Sequence, residues 1–181
     1  MLSILGVGLS RTGTKSLARA LMDLGFNTLH WAPDRLSDVI MGEANNPSFA
    51  RYDDVDAVVD IPAAYFYREI AAAYPGIKAI LTTRPVDLWS RSIEAHYAGL
   101  PKWLSGRSLD EAVELQKAVY GSDKANRFLY CKRYVEHNES VQRFFAPDRL
   151  LVLDISGGDG WLKLCQFLDR PVPPKPFPQI S

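Results

Sequence analysis

The sequence predicts a three-layer α/β/α fold in which helices cover both faces of a mostly parallel central β-sheet. Short apolar runs of strand length alternate with longer segments whose apolar residues recur at helical spacing. Glycine and proline separate many of these segments. Strands that alternate with helices form βαβ crossover units, and these pair their strands in parallel. A sheet of this kind is buried on both faces.

The apolar runs predict the strands. They lie at residues 2–7, 27–31, 57–60, 78–83 and 150–154. The first run ends at a glycine cluster, and the third ends at Ile61-Pro62. Because the carboxyl ends of parallel strands meet at one edge of the sheet, ligands of such folds bind there. The residues that follow the strands are therefore candidate site residues.

Helices are predicted between these strands. Leu17, Ala20, Leu21 and Leu24 lie at helical spacing, and Gly25 is a stop signal. Residues 33–55 are expected to form a helix and an irregular connection. Another helix is expected to follow residue 62 and end at 74, and the next to begin at 85. The last three are expected over residues 109–120, 124–145 and 161–168. Pro85 suits the first turn of its helix, where its missing N–H group costs nothing.

Composition narrows the class of protein. The 181 residues are expected to form one domain, residues 1–181, and 47% hydrophobic with 23% charged residues is typical of a soluble globular protein. The 21 basic and 21 acidic residues cancel, which argues against nucleic acid or a membrane as partner. Cys131 and Cys165 are isolated, as in reducing compartments. Without a membrane-spanning run or a signal-peptide pattern, a cytoplasmic protein is expected.

Residues 8–16, GLSRTGTKS, predict a phosphate-binding loop between the first strand and the first helix. A strand that turns through glycine into a helix directs several backbone N–H groups at one spot, and the helix dipole favours an anion there. The candidate ligand-binding residues are Ser10, Arg11, Thr12, Gly13, Thr14, Lys15 and Ser16. The alternative interpretation is a tight turn in which Thr14 or Ser16 only caps the helix.

The loop differs from the Walker A motif of ATPases and GTPases. Gly8 and Gly13 have the required spacing, but Thr14 stands between Gly13 and Lys15. The extra residue moves the lysine away from the position that reaches the β- and γ-phosphates. A P-loop nucleotide kinase or NTPase, with Asp60 as a Walker B-like residue, remains an alternative.

The loop resembles the 5′-phosphosulfate loop of sulfotransferases that use 3′-phosphoadenosine 5′-phosphosulfate (PAPS). A second match lies in the segment LTTRPVDLWSRS, residues 81–92. In that family an arginine at a strand end and a serine eight residues later bind the 3′-phosphate, and Arg84 and Ser92 have this separation. An arginine fork suits a phosphate group. The resemblance extends from about residue 5 to 178 and is closest to a bacterial-type branch with a P-loop NTPase-like fold.

The resemblance implies a reaction and a set of roles. A sulfuryl group would pass from PAPS, as co-substrate, to a hydroxyl or amine of a small-molecule acceptor, with no metal required. Arg11 and the loop amides would bind the 5′-phosphate and the sulfuryl oxygens, and Lys15 would add charge. In many relatives a His or Glu at a strand end takes the acceptor's proton, and Asp60 stands at the matching place.

Two interpretations of Asp60 stay open at this point: it is the general base, or it organises the phosphate site. A histidine is the alternative to Asp60 as the base. His30 ends the second strand, where it could reach the acceptor pocket, but a packed and hydrogen-bonded side chain is expected. His96 should face a pocket rim or solvent, and His137 should lie on a solvated face. Residues 99–123 are expected to form a lid or acceptor insertion. Aromatic candidates for an acceptor site are Trp31, Tyr65, Phe66, Tyr97 and Trp103. A non-catalytic nucleotide-binding relative is a further alternative.

Overall fold

The computed structural model describes residues 1–98 and 105–180. Its strands are β1 (Ile4–Gly6), β2 (Thr28–His30), β3 (Ala57–Val59), β4 (Lys78–Thr82) and β5 (Leu150–Leu153). Its α-helices are α1 (Thr14–Asp23), α2 (Ser37–Ile40), α3 (Tyr67–Ala73), α4 (Val86–Tyr97), α5 (Arg107–Tyr120), α6 (Arg127–Phe144) and α7 (Trp161–Leu168). These elements confirm the predicted α/β/α class.

The strands form one sheet in the order β2-β3-β1-β4-β5, and every pair in it is parallel. The strand β1 is central: Leu5 lies opposite Val58 of β3 and Ala79 of β4. The chain continues from β1 to one half of the sheet and later crosses to the other half. The loop after β1 therefore lies where the strand order reverses, which is the usual ligand-binding crevice of such sheets.

Alternation along the strands divides the core between the two faces of the sheet. Ile4 of β1 packs with α1 and α7, in a cluster that includes Leu17, Leu21 and Leu164. Leu5, its neighbour, points to the opposite face and joins the cluster that contains residues of α3 and α6. Successive strand side chains point to opposite faces, so one short apolar strand supplies both clusters.

A third apolar cluster lies beyond the carboxyl ends of the strands and is built mainly from α4, α5 and α6. Trp89 of α4 is fully buried and stacks on Tyr134 of α6, with ring centroids 4.1 Å apart. Its indole Nε1 donates a hydrogen bond of 3.0 Å to the carbonyl oxygen of Ser10. This cluster therefore packs against the loop after β1 and holds it through the bond between Trp89 and Ser10.

The structure agrees in outline with one local expectation and corrects another. Within residues 33–55 the helical part is short, a 3₁₀ turn at Pro33–Leu36 followed by α2. The remainder is held by paired arginine–carboxylate contacts, Arg35 with Asp54 and Arg51 with Asp38, instead of helical hydrogen bonds. Pro85 precedes α4 as its N-cap residue instead of lying inside its first turn.

The expectation that His137 lies on a solvated face is wrong. Its ring is half-buried, and Nε2 donates a 2.7 Å hydrogen bond to the carbonyl oxygen of Val7, just beyond β1. The ring also meets Tyr67 edge-on, at 5.7 Å between centroids. The charged sequence around His137 concealed that this one side chain points inward from α6.

No helix within residues 1–98 and 105–180 is long and apolar enough to cross a membrane.

Candidate active site

The loop after β1 is packed too tightly for a side chain at Gly8. A Cβ atom there would lie 1.9 Å from Oγ1 of Thr82 and 2.7 Å from its carbonyl oxygen. Arg11 and Gly13 have left-handed backbone conformations, with φ of 71° and 101°. Such alternation turns successive N–H groups inward, as in anion-binding nests. In the described chain, the N–H groups of Arg11, Thr12 and Gly13 donate to no other protein group.

The hydroxyl groups of the loop shape it from within. Ser10 and Thr14 each donate a 2.6 Å hydrogen bond to the carboxylate of Asp60. Thr12 is buried, lies 2.7 Å from the carbonyl oxygen of Leu9 and contacts the hydroxyl of Thr82. These side chains fix the loop's conformation, while the backbone N–H groups of Arg11, Thr12 and Gly13 are left for a ligand.

Asp60 directly follows β3 and is 5% exposed, with φ of 77°. Its Oδ1 accepts hydrogen bonds from Ser10 and from the backbone N–H of Ile61, and its Oδ2 accepts from Thr14 and faces Nε2 of His30 at 3.1 Å. Burial alone would raise the pKa of this carboxyl, but the donors from His30, Ser10 and Thr14 outweigh burial and hold the pKa below its usual value. Asp60 is therefore ionised and fully engaged.

His30 ends β2, two strands away from β1, and its side chain is 24% exposed. An ionised carboxylate only accepts hydrogen bonds, so Nε2 of His30 carries a proton toward Asp60. The same nitrogen lies 3.3 Å from the hydroxyl of Thr14. His30, Asp60 and the loop thus form one hydrogen-bonded group drawn from three strand ends.

Arg84 follows β4 and is held by its backbone. The hydroxyl of Tyr134 accepts from the N–H of Arg84 and donates to its carbonyl oxygen, both at 2.9 Å. Nε of Arg84 is buried and has no hydrogen-bond partner among the described residues. A guanidinium group held in place with an unused donor suits an anion.

Ser92 lies on α4 and connects the two predicted halves of the site. Its hydroxyl oxygen accepts a 3.1 Å hydrogen bond from Nε of Arg11. Arg11 belongs to the predicted 5′ half and Ser92 to the predicted 3′ half, and the structure brings them into contact. Neither Arg11 nor Arg84 has a carboxylate partner in the described part of the chain.

One cavity of about 630 Å³ collects every site residue that the sequence predicted. Its lining includes all of Ser10, Arg11, Thr12, Gly13, Thr14, Lys15, Ser16, Asp60, Arg84 and Ser92. A cavity of this size accommodates a small molecule or a nucleotide. Among the described residues, no cluster of three or more His, Cys, Asp or Glu side chains could hold a metal ion.

The cavity also has walls that the sequence did not predict. Ala112 and Leu115 of α5 line it, so the helical part of the predicted insertion 99–123 borders the site. Arg107, at the start of α5, pairs with Glu43 and anchors this wall to the segment after α2. Residues 99–104, with Trp103, lie outside the described ranges.

Of the aromatic candidates for an acceptor site, Trp31 and Tyr97 line the cavity, and Tyr65 and Phe66 do not. Tyr65 and Phe66 pack against each other, at 5.0 Å between ring centroids. Trp31 also borders a second cavity of about 300 Å³, which shares Ala112 and Leu115 with the first. The two cavities therefore adjoin along the side of the site formed by Trp31 and α5.

The C-terminal segment, residues 171–180, closes another side. Ile180 and Gln179 line the cavity, and the N–H of Ile180 donates a 2.9 Å hydrogen bond to the hydroxyl of Ser16. Phe177 meets Trp161, with ring centroids 4.9 Å apart. Proline-dense sequence carries no periodic signal, so nothing in the sequence indicated that this segment reaches the loop.

Comparison with known proteins identifies relatives of this chain. Residues 3–181 match a family model described as "Sulfotransferase domain". A protein of Aspergillus versicolor named "Ava biosynthesis cluster protein M" is 32% identical over 211 residues, and the match covers 99% of this chain and 80% of that protein.

Proposed function

The chain belongs to the sulfotransferase domain family, and from this premise we propose that it transfers a sulfuryl group from PAPS to a hydroxyl or amine of a small molecule. PAPS carries a phosphate on its 3′-oxygen and a phosphosulfate on its 5′-oxygen. A protein that binds it needs two anion sites within one cavity. The acceptor class is further supported by the relative, which is named for a biosynthesis cluster.

The observation that carries this proposal is Arg84 in the same cavity as the loop. Its guanidinium lines the cavity, has no carboxylate partner in the described residues and keeps one buried donor unused. The loop, with Arg11 and free backbone N–H groups, supplies the second anion site. Two separate anion sites fit a donor with phosphate groups at both ends of its ribose.

The proposal gives each part of the site a role. Arg11, Lys15 and the N–H groups of Arg11 to Gly13 bind the 5′-phosphate and the sulfuryl oxygens, and they stabilise the charge that builds on the bridging oxygen. Arg84 and Ser92 bind the 3′-phosphate. Ser10, Thr12, Thr14 and Ser16 hold the loop, and no metal ion is needed. Trp31 and α5 border the acceptor side.

The kinase or NTPase alternative has less support. A Walker B-like aspartate must leave carboxylate oxygens available to Mg²⁺ and its water ligands. The oxygens of Asp60 are instead occupied by Ser10, Thr14, Ile61 and His30. Of the two roles that the sequence left open for Asp60, these bonds favour the organiser of the site.

Thermal-shift titration tests the donor. Adenosine 3′,5′-bisphosphate, the product left after transfer, should raise the melting temperature without Mg²⁺, and more strongly than adenosine 5′-monophosphate. Arg84→Gln should weaken binding of adenosine 3′,5′-bisphosphate and leave binding of sulfate in the loop unchanged. Arg91→Gln is the matched control, because Arg91 is exposed on α4, the helix that follows Arg84, and does not line the cavity. Stabilisation by Mg-ATP alone would contradict the proposal.

A further inference from the structure

We propose that Nδ1 of His30 takes the proton from the acceptor and that Asp60 positions the His30 ring for this step. The inference rests on the proposed sulfuryl transfer and names the base for it. It divides the task of the base between His30, which accepts the proton, and Asp60, which positions the ring.

Asp60 is poorly placed to be the base itself. Both of its oxygens accept two hydrogen bonds or close N–H contacts, from Ser10 and Ile61 on one and from Thr14 and His30 on the other. At 5% exposure it offers almost no surface to an incoming hydroxyl. The donors that lower the pKa of its carboxyl also make it a weak proton acceptor.

Unlike Asp60, His30 has an atom that is available to accept a proton. Its Nε2 carries the proton that faces Asp60, so in the neutral ring Nδ1 carries none and can accept one. Nδ1 has no hydrogen-bond partner in the described chain and is not fully buried, so it is accessible. The ring lines the cavity beside the loop.

The surroundings hold the ring in this orientation. The hydroxyl of Thr14, at the start of α1, touches the Nε2 side of the ring, so the base lies beside the sulfuryl-binding loop. The N–H of Trp31 donates to the carbonyl oxygen of Val59 at 3.1 Å, which ties the end of β2 to β3. A base oriented by a carboxylate on its other nitrogen follows the general logic of catalytic dyads and triads.

His96 is the competing base and lacks these supports. It is exposed at the cavity rim, and no carboxylate contacts it among the described residues. Although the residue is exposed overall, partial desolvation of its ring lowers the pKa of His96; the positive charges of Arg11 and Lys15 lower it further, and the charge of Asp60 opposes the shift. Arg11 and Lys15 also line the cavity that His30 lines, but the positively charged form of His30 has Asp60 beside it as a counter-ion. His96 has no such counter-ion in contact with it in the described part of the chain.

The step balances within the site. The acceptor oxygen or nitrogen forms a bond to sulfur while the sulfur–oxygen bond to the 5′-phosphate breaks. The electron pair of that bond stays on the departing phosphate, facing Arg11 and Lys15. The acceptor's proton passes to Nδ1 of His30, and the carboxylate of Asp60 stabilises the resulting positive ring. Water removes the proton afterwards.

The experiment uses the full chain, ³⁵S-labelled PAPS as the donor, and a panel of alcohols, phenols and amines as acceptors. Water, which is always present, is the simplest acceptor. His30→Ala should lower the transfer rate about 100-fold or more, the usual contribution of a general base. Binding of adenosine 3′,5′-bisphosphate should persist. Added imidazole should restore transfer in His30→Ala in proportion to its concentration. His30→Asn, which can still donate to Asp60 but takes no proton, should show the same loss.

A second readout needs no turnover. In ¹⁵N NMR spectra of the wild type, His30 should carry its proton on Nε2. Asp60→Asn should move that proton to Nδ1, because the amide would donate toward the ring, and transfer should fall although the volume of the side chain is kept. A merely structural role for Asp60 predicts no tautomer change.

The outcomes separate the two proposals. Failure of the wild type to bind adenosine 3′,5′-bisphosphate would contradict the proposed function, whatever the tautomer of His30. Bound bisphosphate with undiminished transfer in His30→Ala would overturn the role of His30 and leave the sulfotransferase intact. Loss and imidazole rescue in His96→Ala, in place of His30→Ala, would assign the base to α4.

Discussion

At the scale of single residues, the site depends on one close contact between neighbouring strand ends. Gly8 follows β1 and Thr82 ends β4, and the space between them is too small for a methyl group. Thr82 is fully buried and its hydroxyl bonds to Thr12 of the loop. The contact therefore sets the distance between the loop and the end of β4. Arg84, which is proposed to bind the 3′-phosphate, follows that end.

Gly8→Ala should disrupt this arrangement. The added methyl group must displace Thr82, and such overpacking typically costs about 1–3 kcal/mol of stability. Denaturant unfolding measures that loss, and titration with sulfate or adenosine 3′,5′-bisphosphate should show lost binding because the loop moves.

Gly42→Ala is the matched control for this substitution. Gly42 also needs its glycine, with φ of 69°, but a Cβ atom there meets nothing within 4 Å. The left-handed conformation should cost about 1–2 kcal/mol while ligand binding stays intact. Equal effects of both substitutions on binding would show that the contact with Thr82 is unimportant.

The loop residues could be predicted because they are consecutive: nine positions carry the glycines, the charges and the hydroxyls together. The hydrogen-bond partners of those hydroxyls could not be predicted from the sequence. Ser10 meets Asp60 across 50 positions, and Thr14 meets His30 through the pairing of β2 beside β3. Contacts of this kind depend on strand order, and strand order leaves no local pattern in the sequence.

At the scale of elements, α6 shows how one side chain can fix a helix against the site. His137 reaches from the helix to the carbonyl oxygen of Val7, the residue before Gly8. Tyr134, one turn earlier, holds both backbone groups of Arg84. The helix thus positions the start of the loop and the 3′ side of the cavity together.

His137 should make the protein less stable in mild acid. Burial lowers the pKa of His137, and its bond to Val7 opposes this only in part. Below about pH 6.5, the ordinary value for histidine, the unfolded chain binds a proton that the folded chain resists, so stability falls as pH falls. His137→Gln keeps a donor for Val7 but does not titrate, and should lose less stability between pH 7 and pH 5 in urea unfolding. An unchanged pH dependence would contradict this account.

Element boundaries show the same division between local and distant information. The strands and α7 appear within a few residues of their predicted positions, because apolar runs and helical spacing are local signals. The segment 33–55 was harder to predict. Its shape comes from the pairs Arg35–Asp54 and Arg51–Asp38, whose members lie 19 and 13 positions apart.

At the scale of the whole molecule, segments far apart in the sequence meet at the site. Ser16 of α1 bonds to Ile180, 164 positions away, and Lys175 pairs with Asp23 at 2.9 Å. Phe177 and Trp161 supply the apolar part of this closure. The C-terminal segment is thereby a wall of the cavity as well as a cover for the core beneath α7.

Phe177→Ala should loosen this closure. Half-burial of the ring suggests a loss of about 1–2 kcal/mol in the free energy of unfolding. Affinity for adenosine 3′,5′-bisphosphate should fall with it, because Gln179 and Ile180 line the cavity. Lys175→Gln is the control: it removes only a surface ion pair, worth about 0–1 kcal/mol, and should leave binding unchanged. Equal effects of the two would mean that the ring does not hold the segment.

The central place of β1 has a consequence during protein synthesis. Translation delivers the residues of β1 before those of both its neighbours in the sheet, β3 and β4, which follow about 50 and 75 residues later. A nascent chain shorter than this exposes a strand without partners, which is the condition that recruits chaperones or leads to aggregation. Ribosome-bound chains should therefore become protease-resistant only after β4 has left the exit tunnel.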